Sequence, residues 1–282
     1  MQPAQVMRGA LDTLGRPWLF EAVGFDLGET LIEYEGVALD WQREYPGALA
    51  SMASLWGDCL NSTQIEAGSA VLRRYNTRLT PRTQEVDCET VFAELLCALG
   101  VPGEDALELL NPAADAFFSV FRRRARAFSD VAASLAALRA AVTPVGVLTD
   151  VPYGMPRRLV LEDLSAAGLD VLASSTLTSV EVGLRKPNPE GFRALAGRCG
   201  CPPSAMLYVG NEQKDVLGAK AAGMAAALVW RDASPAPAWG AGSHAGLAGA
   251  ARSGSLGQVT VSEVSNKRIN PTRCARGLSA TR

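Results

Sequence analysis

The sequence of 282 residues predicts an α/β fold, in which a core built on a parallel β-sheet carries an inserted α-helical cap domain. Three observations predict this fold. Short apolar runs end in small or polar residues, helical patterns separate these runs, and a long stretch without strand signals follows the first run. The composition, 48% hydrophobic and 20% charged, is ordinary for a soluble globular protein with a sizeable core.

Four apolar runs are expected to form the sheet, at 22–25, 145–148, 206–209 and 225–230. Each is short and apolar on both faces, which suits a buried parallel strand better than an exposed antiparallel one. Helical patterns separate the runs: one begins near Asp130, one covers 215–224, and one begins near Pro187 and Pro189, since proline is tolerated in a first turn. This alternation predicts a Rossmann-like parallel sheet with right-handed crossovers.

From about residue 33 to residue 128 the strand signals fade, and apolar residues recur at helical spacing. We therefore expect a helical cap over 33–128, inserted into a core made of 1–32 and 129–232. An insertion at the carboxyl end of a strand lies over the place where open α/β sheets bind ligands, so it can act as a lid. Residues 233–282, rich in Ala, Gly, Ser and Pro, are expected to be largely flexible, with a short strand allowed at 258–264.

Charge and composition exclude several function classes. The chain has 27 Lys and Arg against 29 Asp and Glu, so its core is not expected to bind nucleic acid. Charged residues interrupt the first twenty positions before any apolar run is long enough for a signal peptide or a membrane span, and we expect a cytoplasmic protein without membrane partners. The one histidine, His244, lies in the Ala-rich and Gly-rich tail. Carboxylates, lysines and hydroxyls must therefore carry any catalysis.

Polar residues follow the predicted strands at the point where each strand ends. They are Asp26, Thr149, Asp150, Asn211 and Asp215, and Lys186 lies in the loop at 183–189. Because parallel strands share a direction, we expect these side chains to meet at one edge of the sheet. A carboxylate nucleophile, a hydroxyl, an ammonium and a second carboxylate in one cleft suit phosphoryl transfer, in which the protein positions the group and neutralises its charge.

At these positions the chain resembles the haloacid dehalogenase superfamily, whose four motifs appear in order between about residues 20 and 232. The segments that carry the resemblance are 25–31 (FDLGETL), 147–149 (VLT), 186–189 (KPNP) and 209–215 (VGNEQKD). The resemblance implies that Asp26 attacks phosphorus and forms an aspartyl-phosphate. It also implies that Thr149 and backbone N–H groups near Gly28 hold the transferring oxygens, and that Lys186 stabilises both nucleophile and phosphate.

The resemblance further implies a cofactor and a substrate. Mg²⁺ would be held by Asp26, the backbone carbonyl of Gly28, Asn211 and Asp215, with water completing the octahedral shell. The substrate would be a small phosphorylated metabolite. Its binding is expected to involve Gly28, Glu29 and Asp150.

Two residues depart from the pattern of the family's phosphatases. Gly28 stands where these enzymes usually have a second Asp, which protonates the leaving group and later activates water. Asn211 stands where they commonly have an acid, which weakens the metal site without removing its oxygen ligand. A positioned general acid and base typically contributes on the order of 10²–10⁴ in rate, so Gly28 is the more serious departure.

Several interpretations of Gly28 remain open. Glu29 reaches back around the turn, the cap supplies the acid, the leaving group needs no proton, or the protein is a catalytically impaired phosphate-binding or regulatory module. Dehalogenases also lack the second acid, but they use no metal and a different fourth motif, so a dehalogenase-type hydrolase is less favoured. The cap contains no lysine, which argues against phosphonate hydrolysis through a Schiff base. The cations of the cap are arginines, and those at positions 73, 74 and 122–124 are among the candidates for substrate recognition.

Overall fold

The computed structural model describes residues 20–37, 41–122 and 125–231, and the backbone of 258–262. The strands are β1 (Ala22–Phe25), β2 (Ile32–Tyr34), β3 (Ala125–Ala127), β4 (Val145–Thr149), β5 (Thr176–Thr178), β6 (Met206–Gly210), β7 (Ala225–Trp230) and β8 (Gln258–Ser262). The helices are α1 (Tyr45–Ala53), α2 (Ser62–Tyr75), α3 (Cys88–Ala98), α4 (Gly103–Phe121), α5 (Val131–Ala140), α6 (Arg157–Ala166), α7 (Ser179–Val182), α8 (Pro189–Arg198) and α9 (Gln213–Ala222).

The main sheet has the strand order β5-β4-β1-β6-β7-β8. All neighbouring pairs are parallel except β7 with β8, so the predicted parallel α/β fold is confirmed. β1 lies between β4 and β6, with Phe25 beside Val147 on one side and Val209 on the other. The carboxyl ends of these three strands therefore lie next to each other, as a parallel arrangement requires.

Side chains alternate between the two faces of the sheet, and both faces are buried. Phe25, Val147 and Val209 belong to one hydrophobic cluster, whereas Leu148 and Tyr208 belong to a second cluster on the opposite face. Burial on both faces explains why the strands are almost continuously apolar in sequence. β5 was missed from the sequence because it has only three residues and two of them are threonines.

A helical segment, α1 to α4, lies between β2 and β3, which pair antiparallel with Ile32 opposite Ala127. Its core contains fully buried phenylalanines, including Phe92, Phe117 and Phe118. Local capping fixes the helix starts: Asn61 and Gln64 form a capping box at α2, and the side chain of Asp87 accepts from Thr90 N at α3. The boundaries 33–128 for a separate cap domain stay a prediction.

The loop between α2 and α3 is attached to the core at a second place. Residue 84 forms an antiparallel bridge with Leu184. Arg185 N donates to Thr83 O at 2.7 Å, and Glu85 N donates to Gly183 O at 3.0 Å. The helical segment is thus joined to the core through β2, through β3 and through this bridge, which immediately precedes Lys186 in the chain.

Some sequence predictions concern residues that are not described. These are the N-terminal part of the predicted core, Arg123 and Arg124, and the predicted flexible tail at 233–282, apart from β8. Within the described ranges, no helix combines the length and the apolar character needed to cross a bilayer. The cytoplasmic location stays a prediction.

Candidate functional site

Asp26 follows β1 directly and is held by the neighbouring strand, since its backbone N–H donates to Val209 O at 2.8 Å. The chain then turns sharply: Leu31 N donates to Leu27 O at 2.8 Å, and Glu29 adopts a left-handed conformation with φ 56°. The turn leaves the Asp26 side chain at the end of the sheet. It is nearly buried, but it still lines an open cleft.

The Lys186 ammonium lies between two carboxylates. Its Nζ donates to Asp26 Oδ1 at 2.6 Å and to Asp215 Oδ1 at 2.6 Å, with the Tyr208 hydroxyl at 3.3 Å. Burial acts to lower the pKa of Lys186, but the charges of Asp215 and Asp26 outweigh it and hold that pKa well above its usual range. Burial raises the pKa of Asp26 to about 6 against the attraction of Lys186.

Asp215 is positioned by the first turn of α9. Its Oδ2 accepts from Glu212 N at 2.9 Å, in a reciprocal capping box with that residue. Gly210, the last residue of β6, makes this approach possible: a Cβ on Gly210 would lie 2.4 Å from Asp215 Cγ. A side chain at position 210 would therefore push Asp215 away from Lys186.

Thr149 and Asp150 stand at the end of β4 and both line the cleft. Asp150 Oδ1 accepts from Lys186 N at 3.1 Å, and its Oδ2 lies 3.3 Å from Lys214 Nζ. Burial acts to raise the pKa of Asp150, but Lys186 and Lys214 outweigh it and lower that pKa. The carboxylate of Asp150 thus holds the Lys186 backbone and contacts Lys214, and its predicted role in binding substrate stays a prediction.

The first and fourth motifs supply further residues of the cleft wall, among them Gly28, Glu29, Asn211 and Glu212. Thr30 Oγ1 donates to Asn211 Oδ1 at a long 3.4 Å. A Cβ built on Gly28 meets no atom within 4 Å, so there is open space where the family's phosphatases usually have a second Asp.

The cleft encloses about 150 Å³. It brings together six of the eight predicted site residues, namely Asp26, Gly28, Glu29, Thr149, Asp150 and Asn211. Lys186 and Asp215 are buried and do not line the cleft, but Lys186 contacts both Asp26 and Asp215. The predicted convergence of the strand ends is therefore present in the structure.

Comparison with known proteins agrees with this geometry. A model of the haloacid dehalogenase-like hydrolases matches residues 20–223. The chain belongs to this family. The family membership and the hydrolase class predicted from the sequence are thereby confirmed.

Relatives within the family include phosphatases. The chain is 40% identical over 148 residues to a phosphoserine phosphatase of Thermus thermophilus, covering 52% of this chain and 56% of the relative. It is 31% identical over 124 residues to a phosphoglycolate phosphatase of Escherichia coli K12, covering 44% of this chain and 48% of the relative. The chain thus spans about half the length of the curated relatives it matches.

A solved structure shares the fold. A 2-haloacid dehalogenase from Pseudomonas syringae pv. Tomato DC3000 matches with a TM-score of 0.50 and 23% sequence identity, covering 73% of this chain and 85% of that chain. At this identity the likeness shows the fold alone.

Sequence reasoning missed Tyr208, Lys214, Arg185 and Glu85. Lys214 directly precedes Asp215 in the fourth motif, and the strand periodicity places the Tyr208 side chain opposite those of its neighbours, so both left a signal in the sequence. Glu85 left none, because it reaches the site through a loop contact about a hundred residues away in the chain.

Two of the arginines proposed for substrate recognition do not line the cleft: Arg73 pairs with Glu66, and Arg74 pairs with Glu94. Arg122 does line the cleft. Its guanidinium donates to Asp163 at 2.8 Å and to Glu162 at 3.0 Å.

The donors at the sheet edge suit a hard divalent cation. They are the carboxylates of Asp26 and Asp215, the amide oxygen of Asn211 and the carbonyl of Gly28, all of them oxygens. Among the described residues, no group of three or more His, Cys, Asp or Glu side chains is placed to hold a metal. Mg²⁺ is commonly held by one or two carboxylates with water and substrate phosphate, so this set fits Mg²⁺ better than a transition metal.

Proposed function

We propose that the protein is a Mg²⁺-dependent, phosphatase-type hydrolase that releases phosphate from a small phosphorylated compound through an aspartyl-phosphate at Asp26. The observation that carries the proposal is the Lys186 ammonium, held 2.6 Å from Asp26 in a cleft that also presents Thr149. The phosphatases among its relatives support the same reaction class.

Each residue has a definite task in this proposal. Asp26 attacks phosphorus, and Lys186 favours its ionised form, which is the nucleophilic one. Thr149 and the backbone N–H groups after Asp26 donate to the transferring oxygens. Asp26, Asp215, Asn211 and the Gly28 carbonyl would hold Mg²⁺, which supplies further neutralisation of the phosphoryl charge when bound.

The proton donor is the missing part. Asp150 and Glu212 face Lys214 at 3.3 and 2.7 Å. Burial acts to raise the pKa of each, but neighbouring ammonium groups outweigh it and lower both values, so neither carboxyl retains a proton to donate. Glu29 also lines the cleft, and burial raises its pKa, but it lies one residue beyond the position where the family's acid stands. Without an acid at position 28 the reaction favours leaving groups that depart as anions, such as those of acyl and aryl phosphates.

A second candidate function is a phosphate-binding or regulatory module that turns substrate over poorly. Gly28 and Asn211 favour it, because one removes an acid and the other removes a negative charge from the metal site. The intact contact of Lys186 with Asp26 opposes it, since a binding module has no need of a buried, ionised carboxylate nucleophile.

The test is phosphate release from acetyl phosphate, 4-nitrophenyl phosphate and a sugar phosphate, with Mg²⁺ and with a chelator. We expect Mg²⁺-dependent turnover of the first two and slow turnover of the sugar phosphate. A rapid-quench measurement should find phosphate on Asp26 within one turnover. Phosphate binding without release or phosphoenzyme would instead establish the module, and a preference for the sugar phosphate would show that a proton donor is present.

A further inference from the structure

The cleft that contains Asp26 also has an apolar wall. Side chains from the helical segment and from the chain after β4 form it: Trp41, Phe121, Val151, Pro152, Met155 and Val160. All but Trp41 and Pro152 are at least nine-tenths buried. The remainder of the lining is largely polar, so the cleft has a reactive end and an apolar part.

The aromatic part of this wall is rigidly packed. The ring of Trp41 stacks on Phe121 with centroids 4.2 Å apart and an interplanar angle of 15°. Trp41 also lies against Tyr153 at 5.7 Å, and Phe121 packs on Phe117 at 5.0 Å. Trp41 itself is only half-buried, so it retains accessible ring surface at the cleft. A fixed, partly exposed indole favours a flat apolar partner, because such rings stack with little loss of side-chain freedom.

The cations that line the cleft are already engaged by carboxylates. Arg78 lies 3.3 Å from Glu212, and Lys214 lies 2.7 Å from the same side chain. Arg122 donates to Asp163 at 2.8 Å. A second anionic group on the substrate would compete with these carboxylates for the same cations, whereas an uncharged ring would not.

We propose that the cleft selects phosphate monoesters whose leaving group is a single aromatic ring, held against Trp41. This proposal rests on the proposed function. The cleft of about 150 Å³ must also hold the phosphoryl group beside Asp26, so it leaves room against the apolar wall for no more than a single ring. An aromatic leaving group also agrees with the lack of an acid at Gly28, since an unprotonated phenolate departs more readily than an unprotonated alkoxide.

The chemistry balances without an additional reagent. Asp26 Oδ forms a bond to phosphorus while the bond from phosphorus to the aryl oxygen breaks, and the phenolate leaves with that electron pair. Water then attacks the phosphorus of the aspartyl-phosphate, which releases inorganic phosphate and a proton and restores the Asp26 carboxylate. The phenolate takes up a proton from solvent.

Binding is tested apart from chemistry with non-hydrolysable phosphonates as competitive inhibitors of acetyl phosphate hydrolysis. We expect phenylphosphonate to bind about tenfold more tightly than methylphosphonate and phosphonoacetate, as an added aromatic contact predicts. Trp41→Ala should remove this advantage and leave the methylphosphonate inhibition constant unchanged. Trp41→Phe should retain most of the advantage. Trp56→Ala is the matched control, since Trp56 is a partly buried tryptophan of the same helical segment that does not line the cleft.

The outcomes separate this inference from the proposed function. If acetyl phosphate is hydrolysed but wild-type protein binds phenylphosphonate no better than methylphosphonate, the aromatic preference is wrong and the phosphatase proposal stands. Tighter binding of phosphonoacetate would overturn it in favour of a carboxylate-bearing substrate. If no substrate in the panel releases phosphate, the proposed function itself fails. The wild-type comparison decides the question even if Trp41→Ala does not fold.

Discussion

Arg185 and Lys186 are neighbours in the chain, and each is a buried cation between two carboxylates. Arg185 contacts Glu85 and lies 3.9 Å from Asp150, whereas Lys186 contacts Asp26 and Asp215. Their side chains are 5% and 2% exposed. By charge and burial alone the two clusters are nearly equivalent.

The partners distinguish them. Each cluster has one carboxylate at the cleft, Asp26 beside Lys186 and Asp150 beside Arg185. Asp150 is held through both oxygens, by Lys186 N and Lys214 Nζ, whereas Lys186 holds Asp26 through Oδ1. Glu85 belongs to the loop between α2 and α3, and it also accepts from Ser179 and Arg82. The Arg185 cluster therefore joins the helical segment to the core. The comparison indicates that a buried ion cluster beside a cleft suits catalysis only when one of its carboxylates keeps an oxygen for a ligand.

The largest expected effect is that of Asp26→Asn on activity. Removing the proposed nucleophile should lower phosphate release on the order of 10⁴-fold. Stability at neutral pH should not fall, because burial already disfavours the Asp26 charge and the amide has the same shape. Phosphate release and urea unfolding measure the two effects. A stability loss as large as that of the Glu85 variant described next would mean that the two clusters are alike.

The second prediction concerns the Arg185 cluster. Glu85→Gln removes the negative charge facing Arg185, and breaking a buried pair in this way costs about 3–5 kcal/mol of unfolding free energy. Urea unfolding measures the loss. The matched control is Glu66→Gln in the same helical segment, where the ion pair with Arg73 is exposed and is expected to contribute less than about 1 kcal/mol. Equal effects of the two substitutions would contradict a joining role for Glu85.

The third prediction concerns a carboxyl group introduced into the cleft that Asp26 lines. Gly28→Asp should raise turnover of alkyl phosphates on the order of 10²-fold, because it supplies a general acid and the position has open space. Gly28→Asn has the same size without the proton and is the control. If both variants match the wild type, another group already fills this role.

The smallest expected effect is on pH dependence. The pKa of Asp26 is raised from its ordinary 3.8 to about 6 in the folded protein, so between these values the folded state binds more protons than the unfolded state. In the presence of a chelator, the contribution of Asp26 to stability should therefore be present at low pH and be lost as pH rises through about 6. The difference in urea unfolding between wild type and Asp26→Asn isolates this contribution. If the wild type instead gains stability relative to Asp26→Asn as pH rises, Lys186 lowers the pKa of Asp26 in the folded protein.

The sequence was sufficient to predict which residues meet at the carboxyl edge of the sheet. It was not sufficient to predict the contacts that the loops and the helical segment make near that edge. Asp26, Thr149 and Asn211 could be placed together because parallel strands bring their carboxyl ends to one edge. Lys186 was expected at the same edge, although the strand after which its loop follows, β5, was not predicted, and its contact with Asp26 was implied only by the family motif. The contact of Glu85 with Arg185 follows from no periodicity, because it joins two irregular loops distant in sequence. The apolar wall depends on how α4 packs over the core, which local patterns do not determine.

The bridge between the loop after α2 and the loop before Lys186 restricts how the helical segment can move relative to the core. Swinging the helical segment about β2 and β3 would break the backbone hydrogen bonds of Thr83 and Glu85 and separate Glu85 from Arg185. The bridge thus works as a third fastening that resists rotation of the helical segment away from the loop before Lys186.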